Sequence, residues 1–324
     1  MNTVFILGAG ASKAVWQFPT MDRFFEAEPE SEDGDVLERF LKSYFGARNA
    51  RNLEDVVTHL DNTLAGLGSL WYGDGNSERI EAERLRYCVL KAIRKRLSTE
   101  GKTPDYTGYD QVFDGFNHTD RIITFNYDLG VETYSCLPQK RARYLQQFRM
   151  THLAEMLFSQ QCAPLIGKKA PDDEPLILLK LHGSLNYLKC DCTACPSRAN
   201  IFVRGPGDFL CPSCGADLEP VLVAPTMYKA LEKYPKLALI WRIAQHAMAE
   251  ADRLVLWGFS CPTTDHHFAW LMRGVFRSRK KPLWELAIID PQHSEVAQRL
   301  RSIIGEKSAR SWKYYYNHAE YGND

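Results

Sequence analysis

The sequence predicts an α/β fold: a Rossmann-like, doubly wound parallel sheet that carries a helical insertion and a small zinc-binding subdomain. Three observations lead to this prediction. Short apolar runs with the character of buried strands each end in a small or polar cluster, and helical patterns separate them. A glycine turn at 8–12 directly follows the first run, and five of the nine cysteines fall within 190–214. One domain over 1–324 is expected, with a mainly helical insertion at 22–120 and a zinc ribbon at 187–220.

Each element follows from its local pattern. The apolar runs predict strands at Thr3–Leu7, Arg121–Phe125, Leu176–Leu181, Leu254–Trp257 and Leu286–Ile289. Spacings near 3.6 predict helices within Asp35–Leu97 and over Gln139–Phe158 and Leu237–Ala251. After Asp290 we expect one helix and an aromatic tail at 312–316. The carboxyl ends of parallel strands meet at one edge of a sheet, so the clusters that end these strands are predicted to share one crevice.

Composition narrows the functional class. The 40 Lys and Arg residues balance 40 Asp and Glu residues, which argues against direct binding to nucleic acid or to an anionic membrane through charge. No apolar run approaches the ~20 residues that a membrane span requires. The N-terminal residues lack the basic segment of a signal peptide, so a cytoplasmic location with reduced thiols is expected.

The cysteine cluster predicts a structural zinc site. Two residues separate Cys192 from Cys195, 15 residues follow, and two residues separate Cys211 from Cys214. Four thiolates satisfy Zn²⁺ tetrahedrally and leave no position open for a reacting group. Cys190 is the alternative first ligand, in a C-x4-C arrangement.

The glycine turn suits a phosphate. A Cβ at Gly8 or Gly10 would block the approach of backbone N–H groups to a pyrophosphate. However, Lys13 stands where a dehydrogenase fingerprint has a third small residue, and no acidic residue follows a second strand ~20 positions later. A purely structural strand-to-helix turn is the alternative interpretation.

Polar residues at other strand ends are candidate functional groups. His182 ends a buried strand, where it is either a functional group or a hydrogen-bonded core residue. Asn126 and Asp128 end another strand, and their alternative role is to cap the helix that follows. Asp265 is predicted to cap a helix that begins at His266, and a metal site at 266–267 is disfavoured because adjacent helical residues diverge by about 100°.

Taken in order, these motifs resemble the sirtuin family. Residues 8–12 are similar to its Gly-Ala-Gly-x-Ser, residues 124–128 to its Thr-Gln-Asn-x-Asp, and residues 182–184 match its His-Gly-Ser. The cysteines follow that last motif closely, as they do in the family. Residues 258–260 stand for Gly-Thr-Ser and Asp290 for a late Asn, so the resemblance covers about 3–291.

The departures from the family are informative. Sirtuin deacylases have Pro-Asp-Phe-Arg where this chain has Pro19-Thr20-Met21-Asp22. Their peptide-pairing Phe-Gly-Glu segment is missing from 221–226, where Pro225 cannot donate a ladder hydrogen bond. Together with the long insertion, these features resemble a divergent prokaryotic sirtuin-like branch whose members hydrolyse NAD⁺ in anti-phage defence.

The resemblance implies NAD⁺ as the substrate, with nicotinamide and ADP-ribose as products. It implies that Asn126 orients the ribose and the attacking water and that His182 accepts a proton. Asp128 would hold the nicotinamide carboxamide and Asp290 the adenosine ribose. The residues implied to line the phosphates are Gly8, Gly10, Ala11, Ser12, Gly258 and Ser260.

Two other functional classes remain open on the sequence. One is a sirtuin-type protein deacylase or ADP-ribosyl transferase, and the other is a non-catalytic nucleotide-binding module. An uncontrolled NAD⁺ hydrolase would be toxic, so we expect activity to depend on a homo-oligomer, on a separate sensor or activator protein, or on both.

Overall fold

The computed structural model describes residues 1–26, 32–47, 51–65, 75–117, 119–135, 177–198, 200–203, 210–223, 231, 234–263 and 265–324. The chain divides into two units, one comprising Met1–Gln17, Thr99–Val223 and Ala230–Asp324 and the other Phe18–Ser98 and Ala224–Lys229. The second unit overlaps the predicted insertion at 22–120, and the single-domain organisation stays a prediction.

The strands of the described residues lie in the first unit. They are β1 Thr3–Leu7, β2 Arg121–Thr124, β3 Ile177–Lys180, β4 Gly183–Cys190, β5 Ile201–Val203, β6 Leu218–Leu222, β7 Arg253–Trp257, β8 Leu283–Ile289 and β9 Ala309–Tyr315. The helices are α1 Ala9–Trp16, α2 Glu32–Phe45, α3 Leu53–Leu64, α4 Gly75–Arg96, α5 Thr107–Val112, α6 Gly130–Ser135, α7 Pro235–Glu250, α8 His266–Ser278, α9 His293–Ile304 and α10 His318–Gly322. None of the helices in the described part of the chain combines the length and the apolar character required to span a bilayer.

The main sheet has the order β3-β2-β1-β7-β8-β9, and its neighbouring strands all pair in parallel. Chain order reverses between β1 and β7, which makes this pair the switch point of a doubly wound sheet. Ligands of such sheets bind outside the carboxyl ends of the strands at the switch point. The topology therefore confirms the predicted fold class, and the carboxyl ends of β1 and β7 are where a ligand site is expected.

The central strands are buried, as their apolar composition predicts. All five residues of β1 are buried, and β7 and β8 are buried along most of their length. The helices α7 and α8 pack apolar side chains into the same core at helical spacing, including Leu237, Ile240, Ala244, Phe268, Leu271 and Val275. Burial on this scale stabilises the fold by about 25 cal/mol per Å² of apolar surface removed from water.

The second unit is helical in its described residues. Asn52 caps α3 by accepting a hydrogen bond from the Glu54 N–H at 2.8 Å. Arg51 is buried, donates to the Gly46 carbonyl and pairs with Glu38 at 2.8 Å. Local capping and amphipathic packing therefore account for the helices that the sequence predicts here.

The cysteine region forms a separate antiparallel sheet with the order β5-β4-β6. Its small core contains Leu188 and Leu218 together with cysteine side chains. The predicted zinc ribbon at 187–220 therefore corresponds to most of a three-stranded subdomain that β4 connects directly to β3.

The observed elements differ from the prediction after Asp290, where the structure has two helices, α9 and α10, instead of the one expected. The parallel strand β9 occupies most of the region that the sequence suggested to be an aromatic tail. Only the two end residues of this edge strand, Ala309 and Tyr315, are buried, and charged and polar residues interrupt it, so it lacks the continuous apolar run by which the other strands were predicted. The helix predicted over Gln139–Phe158 lies outside the described residues.

Candidate functional site

The glycine turns after β1 and β7 pack against each other. The Gly10 N–H donates to the Gly258 carbonyl at 2.9 Å. A Cβ on Gly10 would lie 2.7 Å from the Gly258 Cα, and one on Gly258 would lie 2.2 Å from the Ala11 nitrogen. Gly258 also has a φ of +60°. The glycines are therefore required where two backbone loops touch at the switch point.

This contact gives the glycines a different role from the one that the sequence suggested. The sequence suggested that Gly8 and Gly10 lack a Cβ to leave room for a pyrophosphate. In the structure, a Cβ at either position would instead collide with the loop after β7. The N–H groups of Gly10 and Ala11 already donate to Gly258 and Gly8 carbonyls. Their assignment to the phosphates stays a prediction that requires these donors to exchange partners.

A hydrogen-bonded triad joins α1 to the loop after β2. The Ser12 hydroxyl donates to Asp128 Oδ2 at 2.7 Å and accepts from Asn126 Nδ2 at 2.9 Å. The same Nδ2 group donates to the Gly8 carbonyl at 2.8 Å. Both N–H bonds of the amide are thus used, and Asn126 Oδ1 is the side-chain atom that can accept from a ligand.

Asp128 has its carboxylate engaged inside the protein. Oδ1 accepts from the Gly130 N–H at 2.9 Å, which is the helix-capping role that the sequence left open, and Oδ2 accepts from Ser12. The side chain is 5% exposed. Any contact with a carboxamide would use the remaining lone pairs of this carboxylate.

A buried lysine beneath this loop was missed at the sequence level. Lys180 of β3 donates to the Asp128 carbonyl and pairs with Glu132 at 2.9 Å. Burial raises the pKa of Glu132, an effect that the charge of Lys180 opposes. A single lysine in the apolar run Leu178-Leu179-Lys180-Leu181 was the available signal, since a buried ammonium group requires partners.

His182 follows β3 and is almost completely buried. Its ring lies 5.0 Å from the Phe125 ring and 6.2 Å from the Trp241 ring, measured between centroids. Nε2 lies 3.7 Å from Oδ2 of Asp265, which is also buried. Asp265 caps α8 as predicted, accepting from the Phe268 N–H at 3.0 Å. The sequence did not indicate that Asp265 also faces His182.

The glycine after this histidine is a requirement of the turn. Gly183 has a φ of +85°, and a Cβ there would lie 1.9 Å from the Val221 carbonyl oxygen. The Val223 N–H donates to the His182 carbonyl at 2.9 Å. The motif at 182–184 is therefore held between the main sheet and β6.

The last two predicted site residues, Ser260 and Asp290, follow β7 and β8. Ser260 is exposed, and its carbonyl accepts from Arg299 at 3.0 Å. Asp290 Oδ1 accepts from the Gln292 N–H at 2.8 Å, after the end of β8. Burial raises the pKa of Asp290, while that N–H acts in the opposite direction. Both residues lie on loops at the carboxyl edge of the sheet, and their ligand contacts stay predictions.

Four thiols meet in the small subdomain. Sγ atoms of Cys190, Cys195, Cys211 and Cys214 all lie within 4.8 Å of one another. The pair Cys190–Cys214 is 3.5 Å apart and the pair Cys195–Cys211 is 3.7 Å apart. Ligands at about 2.3 Å from a tetrahedral Zn²⁺ lie about 3.8 Å from one another. The cluster therefore fits a closed, structural zinc site.

The first ligand is corrected from Cys192 to Cys190. Cys190 is the last residue of β4 and points into the subdomain core, whereas Cys192 lies beyond the strand in the turn. The backbone N–H of Cys192 instead bonds to the Cys190 sulfur.

The other ligands show the same relationship. The Ser197 N–H donates to Cys195 Sγ at 3.4 Å. The Ser213 N–H donates to the Cys211 sulfur, and the Ala216 N–H donates to the Cys214 sulfur. Burial opposes ionisation of the Cys211 thiol, but its backbone donors and neighbouring thiols lower its pKa to about 7. Each of the four sulfur atoms thus has an N–H donor two residues later, an arrangement that would stabilise the negative charge of a metal-bound thiolate.

Comparison with known proteins gives structural matches alone. No protein-family model matches the chain, and no curated protein matches it. A solved Sir2 homologue in complex with NAD matches over 99% of this chain and 85% of its own, with 15% identity and a TM-score of 0.44. A Sir2 structure bound to acetylated peptide matches over 100% and 91%, with 14% identity and a TM-score of 0.43. At these identities and TM-scores the matches are a structural resemblance only, and they do not indicate which reaction the chain's residues perform.

Proposed function

We propose that this protein binds NAD⁺ at the β1–β7 switch point and hydrolyses its nicotinamide–ribose bond. The observation that carries the proposal is the Ser12–Asn126–Asp128 triad, which fixes an amide acceptor at the carboxyl edge of the sheet. His182 follows β3, which pairs in parallel with β2, the strand that precedes Asn126. The residue motifs that resemble sirtuins supply the identity of the substrate.

The leaving group determines which catalytic groups NAD⁺ hydrolysis requires. Nicotinamide leaves a pyridinium ribose as a neutral molecule, so no general acid is required. The barrier lies in an oxocarbenium-like ribose, and the site must hold that ribose and place a water. We assign this role to Asn126, whose Oδ1 can accept a hydrogen bond from the water or from a ribose hydroxyl.

His182 is the proposed base. The water oxygen bonds to the ribose anomeric carbon, the carbon–nitrogen bond breaks with its electron pair on nicotinamide, and a water proton passes to the imidazole. A positioned base of this kind contributes about 10²–10⁴-fold in rate. Asp128 is proposed to hold the carboxamide and Asp290 the adenosine ribose, as the resemblance implies.

The zinc ion that the four thiols fit has a structural role in this proposal. Four sulfur ligands leave no coordination position for water or substrate. Bound there, zinc would supply folding energy to the subdomain that β4 connects to His182.

One assay separates the main candidates. Purified protein is incubated with NAD⁺, with and without an acyl-lysine peptide, and nicotinamide and ADP-ribose are quantified by chromatography. We expect both products without peptide, and we expect His182→Ala and Asn126→Ala to abolish them while NAD⁺ affinity measured by calorimetry changes little. His246→Ala, at an exposed position of α7, is the matched control. Strict dependence on acyl-lysine would favour a deacylase, and binding without turnover would favour a non-catalytic module.

Anti-phage defence through NAD⁺ depletion is the biological role that we propose, in the cytoplasm where NAD⁺ is abundant. Because such an activity must be silent in healthy cells, a homo-oligomer or an activator protein is proposed to control it. The test is to follow intracellular NAD⁺ after phage infection of cells that express the wild type or His182→Ala. A fall in NAD⁺ and a loss of plaques in the wild type alone is the expected result, and equal plaques in both would refute the role.

A further inference from the structure

One carboxylate performs two tasks at the start of α8. Asp265 Oδ1 accepts the Phe268 N–H at 3.0 Å and so caps the helix. Asp265 Oδ2 lies 3.7 Å from Nε2 of His182. A helix cap by itself requires one oxygen, so the orientation of the second oxygen towards a histidine calls for its own explanation.

We propose that Asp265 is a positioning residue for His182. The carboxylate holds the imidazole through its Nε2–H and stabilises the imidazolium that forms when Nδ1 takes a proton from the attacking water. That proton later returns to solvent, so Asp265 takes up no proton in the step. The inference rests on the proposed function, and the distance of 3.7 Å shortens to a hydrogen bond as the charge on His182 develops.

The surroundings of His182 explain why a carboxylate is needed there. Phe125 meets the ring edge-on at 71°, and Trp241 lies 6.2 Å away between ring centroids, so aromatic rings replace much of the water that would otherwise surround the imidazole. Burial of this kind disfavours the charged imidazolium, and a nearby carboxylate favours it. Without Asp265, a proton on His182 would be an isolated buried charge, which is costly.

The other ionisable groups around His182 do not supply a negative charge. Tyr127 lies 6.5 Å away between ring centroids, and its hydroxyl donates to the Val223 carbonyl at 2.6 Å. His267 of α8 lies beyond Trp241, with ring centroids 6.1 Å apart. Among these groups of the described residues, Asp265 is the carboxylate that faces the imidazole.

The test variant is Asp265→Asn. Asparagine keeps an oxygen that caps the helix and has nearly the same volume, but it removes the charge. Asp120→Asn is the matched control, because Asp120 is a buried carboxylate that accepts from the Thr3 N–H at 2.7 Å at the opposite, amino edge of the sheet. For Asp265→Asn we expect kcat for NAD⁺ hydrolysis to fall about 10–10²-fold with KM changed by less than about twofold. Asp120→Asn should leave both constants near wild type.

The pH profile distinguishes positioning from mere support of the fold. A neighbouring carboxylate raises the pKa of a histidine, and a base works when it is deprotonated. Asp265→Asn should therefore shift the acidic limb of kcat/KM to lower pH by about one unit, and the control should not. A lower kcat with an unmoved limb would overturn the proposal.

A titration that needs no turnover completes the experiment. The imidazole signals of the nine histidines are followed by NMR, with His182→Gln used to assign the signal of interest. We expect the titration midpoint of His182 to move to lower pH in Asp265→Asn and to remain at the wild-type pH in Asp120→Asn. If the wild type consumed no NAD⁺, the proposed function would fail while this midpoint still decided the pairing. An unchanged midpoint would overturn the role of Asp265 and leave the proposed function standing.

Discussion

The Ser12 hydroxyl donates to Asp128 and accepts from Asn126, at 2.7 and 2.9 Å. One side chain thereby fixes both a buried carboxylate and the amide proposed to hold the attacking water. The first turn of α1 and the loop after β2 are thereby linked at the carboxyl edge of the sheet, where doubly wound folds bind ligands. This relationship makes Ser12 a position where stability and turnover should change together.

Ser12→Ala is expected to lower both properties. The buried Asp128 oxygen would lose its donor, which costs about 1–3 kcal/mol of unfolding free energy. Asn126 would lose one of two acceptors, so kcat should fall more than NAD⁺ affinity. Urea unfolding and the hydrolysis assay measure the two effects, with Ser302→Ala at an exposed position of α9 as the control. Wild-type stability and turnover in Ser12→Ala would contradict the triad.

The zinc assignment separates two neighbouring cysteines. Cys190→Ser should lose metal and lower the melting temperature, because Cys190 lies in the four-sulfur cluster. Cys192→Ser should keep one zinc per chain, since Cys192 contributes a backbone N–H that serine also has. Metal analysis and thermal unfolding of the two variants check this, and zinc loss in Cys192→Ser alone would contradict it. The zinc affinity of Cys190→Ser should fall by more than the ~10–100-fold that the loss of an outer-shell partner costs.

The contact between the two glycine turns predicts a large effect at Gly258. Gly258→Ala adds a Cβ 2.2 Å from the Ala11 nitrogen at a positive φ, whereas Gly115 has a similar φ of +70° with open space around it. Gly115→Ala should cost about 1–2 kcal/mol for the left-handed backbone. Gly258→Ala should cost more than about 3 kcal/mol because the clash adds to it. Equal costs in urea unfolding would refute the backbone contact.

The Lys180–Glu132 pair predicts a stability change that depends on pH. Lys180→Met leaves Glu132 without its cation and should cost about 3 kcal/mol near neutral pH. Burial already raises the pKa of Glu132, and removal of the lysine raises it further. A carboxyl whose folded pKa is raised stabilises the fold below its unfolded pKa and loses that contribution as pH rises through the folded pKa.

The measurement compares unfolding free energies at about pH 5 and about pH 8. The cost of Lys180→Met should be smaller at the lower pH, where Glu132 takes up a proton. The double variant Lys180→Met/Glu132→Gln should recover part of the stability and lose the pH dependence. A cost that is the same at both pH values would contradict the pairing.

The sequence by itself determined the elements whose cause is local. Strands such as β1 and β8 are apolar because both faces are buried, so their composition revealed them. The capping role of Asp265 was also readable, because a cap and its helix are adjacent in the chain. The polar clusters at the strand ends could also be located from the sequence, because each directly follows an apolar run.

The tertiary structure alone decided the relationships between distant segments. Asp265 meets His182, Gly10 meets Gly258, and β9 joins the sheet edge, because sheet order brings together residues that are far apart in the chain. Cys190 takes the place predicted for Cys192 in the four-thiol cluster because β4 points its last side chain into the subdomain core. Spacing in a sequence restricts which residues can meet, but the directions of side chains and the packing of loops are set by the whole fold.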